Sequence, residues 1–268
     1  INNTNSRLIF VGDQRQQLYG WRGSVNAMSK VDFKEHSLQT SFRFGVPVAR
    51  LANAVLACGN DEQFEVFGWE QKDSKVFTSV PVSTQSRTII FRTNAALVME
   101  GIRLEEQGVS VRMEFDTRDF VNKLWSIIFL RKGDKAKVKH PEIGVFDTWG
   151  ELLQESEFRA DLAVLVGLFN RGEAGRVIDF LGNYQPPKDA DIILTTAHRS
   201  KGLEFSVVEL ADDFPAVEDE DGEWIGLEEE ERNLLYVAVT RGKDIVYINN
   251  TMYRILLHMA ETSQLEAV

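Results

Sequence analysis

Residues 191–210 read DIILTTAHRSKGLEFSVVEL, and this stretch decides the fold class. Its two apolar runs, 191–195 and 205–210, are continuous rather than alternating, as strands covered on both faces of a parallel sheet read. Between them lies a short polar loop with one glycine, carrying His198, Arg199, Lys201 and Glu204. Ligands bind at such loops in open α/β sheets. The stretch therefore predicts both an architecture and a site.

Working outward, similar runs at 7–11, 87–91 and 245–249 predict further strands. Apolar residues at three- and four-residue spacing predict helices over 46–57, with Pro47 in its first turn, and over 95–107, 230–242 and 252–260. The alternation predicts an α/β layered sheet. The pattern changes between 115 and 188, where helices are predicted at 118–131, 148–155, 158–170 and 173–182. A basic run, RKGDKAKVKH, lies among them, and Pro186-Pro187 closes the segment. This predicts a mostly helical insertion, 115–188, in a sheet domain made of 31–114 and 189–268.

With 268 residues, 43% of them hydrophobic, the chain can bury a sizeable core. No run approaches the ~18 apolar residues of a membrane span, and the first residues lack the pattern of a signal peptide. The single cysteine, Cys58, excludes an internal disulfide framework and fits a reducing compartment, cytoplasmic or nuclear. Its neighbours NAVLACGN predict a structural thiol at a helix end. The net charge of −11 argues at first against nucleic acid. Yet residues 212–231 hold eleven acids and no Lys or Arg, which leaves the remainder near neutral. The acidity is one local segment, predicted as a solvated loop running into a helix start.

The phosphate-binding pattern Gly-x-x-x-x-Gly-Lys-Ser/Thr is absent from these residues. Asp212-Asp213, at the end of an apolar strand, is read as the start of the acidic loop rather than as a magnesium site. Three stretches nonetheless place arginines beside strands or helix ends. LQTSFRFG (38–45) puts Arg43 beside Phe42, the motif-bearing loop of 196–204 adds His198 to Glu204, and EERNLLYVAVTRGK (230–243) ends a helix at Thr240-Arg241. An arginine at a helix end is often a favourable charge at the dipole's negative pole. An arginine aimed at a transferring phosphoryl group is worth roughly 10³–10⁵ in rate. A fourth stretch, VGDQRQQLYGWRGS (11–24), follows a predicted strand with two glutamines and then Tyr19, Trp21 and Arg22.

Taken together and in this order, the four stretches resemble motifs III, IV, V and VI of superfamily 1 DNA helicases of the UvrD/Rep/PcrA type. SFRFG and NLLYVAVTR look most like F-box DNA helicases and related bacterial or phage members. The resemblance implies that Gln16 senses the γ-phosphate of ATP, and that Arg43 and Arg241 reach the same phosphate from a second RecA-like domain. It implies that Phe42 stacks on adenine, that Glu204 meets the ribose, and that Lys201 and His198 belong to the loop coupling nucleotide and DNA contacts. Trp21 becomes the platform for a single-stranded base, with Tyr19 supporting it and Arg22 beside it. Base–aromatic stacking reads no sequence, which suits a motor that steps along any strand.

The resemblance also implies ATP, Mg²⁺ and single-stranded DNA as ligands, a 3′-to-5′ polarity and no metal ligand set within this sequence. Motifs I and II are absent, so residues 1–30 are expected to be the end of a first RecA-like domain. Residues 31–114 and 189–268 are then the second RecA-like domain, and the insertion is a reduced version of the accessory subdomain. The isolated chain is expected to be inactive, its partner being the missing N-terminal RecA-like domain. Two other readings compete. A non-catalytic RecA-like interaction module should have lost charged cleft residues first, yet Gln16, Arg43, Glu204 and Arg241 are present. A helicase–nuclease of the RecB or AddA type would need a nuclease domain beyond residues 242–268.

Overall fold

The computed structural model describes residues 9–16, 36–59, 64–81 and 86–262. Its centre is a six-stranded, all-parallel sheet. The strands in chain order are β3 (Lys75–Phe77), β4 (Arg87–Phe91), β5 (Val111–Glu114), β6 (Ile192–Thr196), β7 (Phe205–Leu210) and β8 (Gly242–Tyr247). Their spatial order is β3-β8-β7-β4-β6-β5. A two-residue pair, β1 (Thr40–Ser41) with β2 (Phe67–Gly68), lies apart from this sheet.

The continuous apolar runs become strands because both faces of the sheet are covered. On β4, Ile89 and Phe91 face one hydrophobic core and Ile90 faces the other, as the two-residue period of a strand requires. The core around Ile90 holds α1 (Val46–Ala57), α9 (Glu229–Val239) and α10 (Asn250–Glu261). The opposite core holds α2 (Asn94–Glu106), α3 (Thr117–Arg131) and the later helices α5 (Trp149–Ser156), α6 (Ala160–Asn170) and α7 (Ala174–Asn183). Two very short helices complete the set, α4 (Pro141–Gly144) and α8 (Ala197–Ser200). The result is the helix–sheet–helix layering of an α/β, RecA-like fold.

Helix starts follow local chemistry. The Thr93 hydroxyl accepts from the Ala96 N–H at the start of α2 at 3.1 Å, and Asn249 caps α10 by accepting from Met252 at 2.9 Å. The helical segment predicted at 115–188 leaves the sheet after β5 and returns at β6, strands that pair side by side with Val111 opposite Ile192. Its helices share one continuous core with the sheet, with Phe120, Leu124 and Ile127 packed in the same cluster as Ile89 and Leu194.

Some expectations fail. Ile9, Phe10 and Val11 form no strand, and Ile9 is 84% exposed. Apolar character alone does not make a strand without a neighbour to take its backbone hydrogen bonds. The helix predicted at 230–242 stops at Val239, and β8 starts at Gly242, so Thr240 and Arg241 form the corner between them. The acidic segment is not uniformly solvated. The Asp213 carboxylate is half-buried and accepts from the N–H groups of Arg92 and Thr93 and from the Thr93 hydroxyl, at 2.7–3.0 Å. Glu231 pairs with the Arg92 guanidinium at 2.5 Å. These acids join the end of β4 to the start of α9.

Candidate nucleotide-cleft half-site

The sheet order places three of the four predicted stretches at one locality. Arg43 follows β1 on the turn into α1, a turn held by close backbone packing. A Cβ on Gly68 would lie 2.3 Å from the Gly45 carbonyl carbon, so this approach admits only glycine. From that turn the Arg43 Nη1 donates to the Thr240 carbonyl at 3.0 Å, and its Nε lies 3.3 Å from Glu204 Oε1. The Arg43–Glu204 contact is an ion pair without hydrogen-bond alignment, because the buried Arg43 Nε–H has no acceptor.

Arg241 lies directly beyond Thr240 and is 1% exposed. Its Nε donates to Val237 O at 2.9 Å, its Nη1 to Leu203 O at 3.2 Å and its Nη2 to the Thr240 hydroxyl at 3.1 Å. Burial first, and then the neighbouring Arg43, pull its pKa down to about 10; Tyr236, Glu204 and Asp13 act in the opposite direction. The guanidinium remains charged at neutral pH, held by dipoles of uncharged groups. Burial in turn raises the Tyr236 phenol, with Asp13 adding to the effect.

The fourth stretch joins through its first half. Gln14–Gln16 form a single 3-10 turn in which the Gln16 side-chain amide donates to Asp13 Oδ2 at 2.9 Å. The Lys201 ammonium donates to the Gln16 carbonyl at 2.6 Å, which links the 11–24 stretch to the loop after β6. That loop begins with α8, where the Thr196 hydroxyl accepts from the Arg199 N–H and Gly202 adopts a φ of +84°. His198 is half-buried on α8.

Phe42 is 72% exposed and meets the edge of Trp69 with ring centroids 5.9 Å apart. Trp69 escaped sequence reasoning because nothing local marks it; it reaches Phe42 through the β1–β2 pairing. Asp13 also escaped sequence reasoning, although its spacing of three to Gln16 on a tight turn is a local signal. Tyr19, Trp21 and Arg22 lie outside the described residues. Arg43, Glu204, Arg241, Lys201 and Gln16 thus form one connected set, with Phe42 at its exposed edge.

The residues do not suit a resident Mg²⁺. Among those described, no three His, Cys, Asp or Glu side chains form a metal-binding group, and the Asp213 carboxylate is already occupied by three donors. Cys58 is structural, as expected. Its thiol donates to Ala54 O at 3.3 Å, and burial pushes its pKa up to about 12.

Comparison with known proteins finds similarity to DNA helicases. Residues 182–253 match the UvrD-like helicase C-terminal domain family. Over 94% of its length the chain is 31% identical to F-box DNA helicase protein 1 of Schizosaccharomyces pombe, and over 93% it is 27% identical to F-box DNA helicase 1 of Gallus gallus. A 105-residue stretch, 34% of the chain, is 31% identical to the ATP-dependent DNA helicase PcrA of Staphylococcus epidermidis and covers 14% of that protein. The chain spans 32% of the fission-yeast relative and 27% of the chicken one. With its six-stranded parallel sheet and the family match over residues 182–253, the chain carries a C-terminal domain of the UvrD-like, superfamily 1 helicase type.

Proposed function

We propose that this chain forms the second wall of the ATP cleft in an ATP-dependent, 3′-to-5′ DNA helicase or translocase. The observation that carries the reading is the cluster of Arg43, Glu204 and Arg241. Buried Arg241 and half-buried Arg43 share one corner, and the Arg43 Nε–H lacks an acceptor. Like charges held together in a poorly solvated place favour an incoming anion, and a phosphate oxygen supplies both charge and acceptors.

In this reading the phosphates and their magnesium are held by a first RecA-like domain, of which residues 1–30 are the end, and 31–114 with 189–268 form the second. Closure of the two brings Arg43 and Arg241 onto the γ-phosphate. Arg241 must then leave its carbonyl partners, Val237 and Leu203, for phosphate oxygens. Gln16 precedes Trp21 by five residues in the sequence, and Lys201 ties the Gln16 turn to the loop after β6. Phosphate occupancy would thereby be passed to the residues stacked on single-stranded DNA. Phe42, exposed beside Arg43, supplies the face for adenine, and Glu204 is placed for the ribose. His198 on α8 and Arg22 beside Trp21 complete the DNA side, and the 115–188 insertion is a reduced accessory subdomain.

The 268-residue chain alone should show no ATPase activity above background, because its sequence contains no P-loop. Linking it to a P-loop-bearing RecA-like domain should restore single-strand-stimulated turnover that Arg241→Ala abolishes. Clear turnover by the isolated chain would sink the division of labour proposed here.

A further inference from the structure

We infer that one face of α3 is a second docking surface for single-stranded nucleic acid, separate from the cleft. Helix α3 carries Arg118, Asn122, Trp125 and Phe129, with Lys132 at its C-terminal cap. Their spacings of four, three, four and three put them on one stripe of the helix. All but the half-buried Phe129 are exposed. At 1.5 Å per residue the stripe runs about 21 Å. Trp125 is 42% exposed and stacks on Phe129, with ring centroids 6.0 Å apart and planes 26° from parallel. The Lys137 ammonium sits 5.6 Å from the Phe129 centroid.

Residues 131–139 hold five Lys or Arg and one acid in a chain whose net charge is −11. The acids beside the stripe are engaged. Asp119 lies 3.4 Å from the His140 ring, and Asp134 pairs with Lys137 at 2.6 Å. Arg131 and Lys135 turn elsewhere: the first donates to Phe169 O, the second to Gly144 O, and Lys135 also pairs with Asp147. Arg118 and Lys132 are the cations on the stripe itself, and Lys137, paired with Asp134, lies by the Phe129 ring.

A flat, solvent-facing indole backed by a second ring, with cations on both sides, matches what an unpaired strand offers: a base face and flanking phosphates. An acidic peptide would match the cations but leave the indole face without a partner. A duplex keeps its base faces stacked inside and offers phosphates alone. The surface rests on the helical segment rather than on the sheet loops. A strand held there would thus contact the protein at two places.

The test is fluorescence anisotropy of a labelled oligo(dT) of about 15 nucleotides, titrated with the full 268-residue chain. Trp125→Ala should weaken binding roughly 5- to 100-fold, and Trp125→Phe should retain most of it. Lys132→Gln with Lys137→Gln should flatten the log K against log salt slope by about 1.4. The Trp125→Ala loss should persist in a Trp21→Ala background, which separates this surface from the proposed groove. Melting curves matching the parent chain confirm that the exposed substitutions leave the fold intact. Unchanged oligo(dT) affinity in Trp125→Ala would overturn the inference. So would equal competition by poly-glutamate, an equal loss for duplex of the same length, or complete loss of binding in Trp21→Ala alone.

Discussion

Arg43 and Arg241 meet at Thr240, Arg43 through its backbone carbonyl and Arg241 through its hydroxyl. Arg43 donates to the oxygen of Thr240, the residue before Arg241, across 197 positions of sequence. The consequence is electrostatic: Arg43 is the second-largest cause, after burial, of the lowered Arg241 pKa. A cation brought down from 12.5 to about 10 carries a penalty on the order of 3 kcal/mol at neutral pH. The corner thus holds stored electrostatic cost that a bound anion would relieve.

Replacing Arg241 by methionine should remove that cost. Arg241→Met keeps the volume, and apolar replacement of buried charge is often neutral or stabilising. The variant should melt no lower than the parent chain, whereas ATPase in a complete helicase should fall by roughly 10³ or more. Between pH 6 and 9 both folded and unfolded chains carry the arginine charge, so the difference in Tm should stay constant. Above pH 10 the folded form loses its proton first, the unfolded chain binds more protons, and the parent gains stability with rising pH. A Tm several degrees below the parent would show that the three hydrogen bonds outweigh the burial cost.

Phe42 should act on nucleotide affinity more than on turnover. Its ring is 72% exposed next to Arg43 in the chain, and it meets its packing partner Trp69 in a T-shaped contact. Phe42→Ala in a complete helicase should raise the KM for ATP about 5- to 30-fold with kcat within about twofold, and Phe42→Tyr should be close to neutral. Steady-state kinetics decide this, and an equal fall in kcat would assign Phe42 a different role.

Gly68 should tolerate no side chain. A Cβ there would sit 2.3–2.5 Å from backbone atoms of Gly45 and Val46, which cannot yield as a flexible side chain would. Gly68→Ala should cost about 1–3 kcal/mol in denaturant unfolding. It should also displace the turn that carries Phe42 and Arg43. A change below ~0.5 kcal/mol would mean that the β1–β2 pair relaxes freely.

Asp213 should matter to stability although it lies in an acidic run. Its two oxygens receive three donors from Arg92 and Thr93. Asp213→Asn replaces one acceptor by an NH₂ that faces an N–H. Leaving a buried donor unpaired costs roughly 1–3 kcal/mol, measurable by urea unfolding. Asp221→Asn, in the exposed part of the same run, should leave the curve unchanged.

Much of the architecture was legible because it is written in short-range pattern. The runs at 87–91 and 205–210 are strands at those bounds, and 46–57 is a helix at those bounds. The strands β1, β2 and β3 were missed because two or three residues carry no period. β5, with the sequence VRME, was missed because its four residues mix charge and apolar character. The apolar stretch at 9–11 misled for the opposite reason: its pattern is right, but no neighbouring strand pairs with it among the described residues.

Residue types and their order along the chain were enough for the resemblance to UvrD-like helicases. Local periodicity was enough for an α/β sheet interrupted by helices. Tertiary structure alone decided that Arg241 folds back onto the carbonyls of Val237 and Leu203. It also decided that Arg43 reaches Thr240, and that Asp213 is consumed by the end of β4. Those outcomes follow from which strands become neighbours, β8 beside β7 and β7 beside β4. Periodicity reports which face of an element is buried; partner choice arises only when distant segments compete for the same core and the same hydrogen bonds.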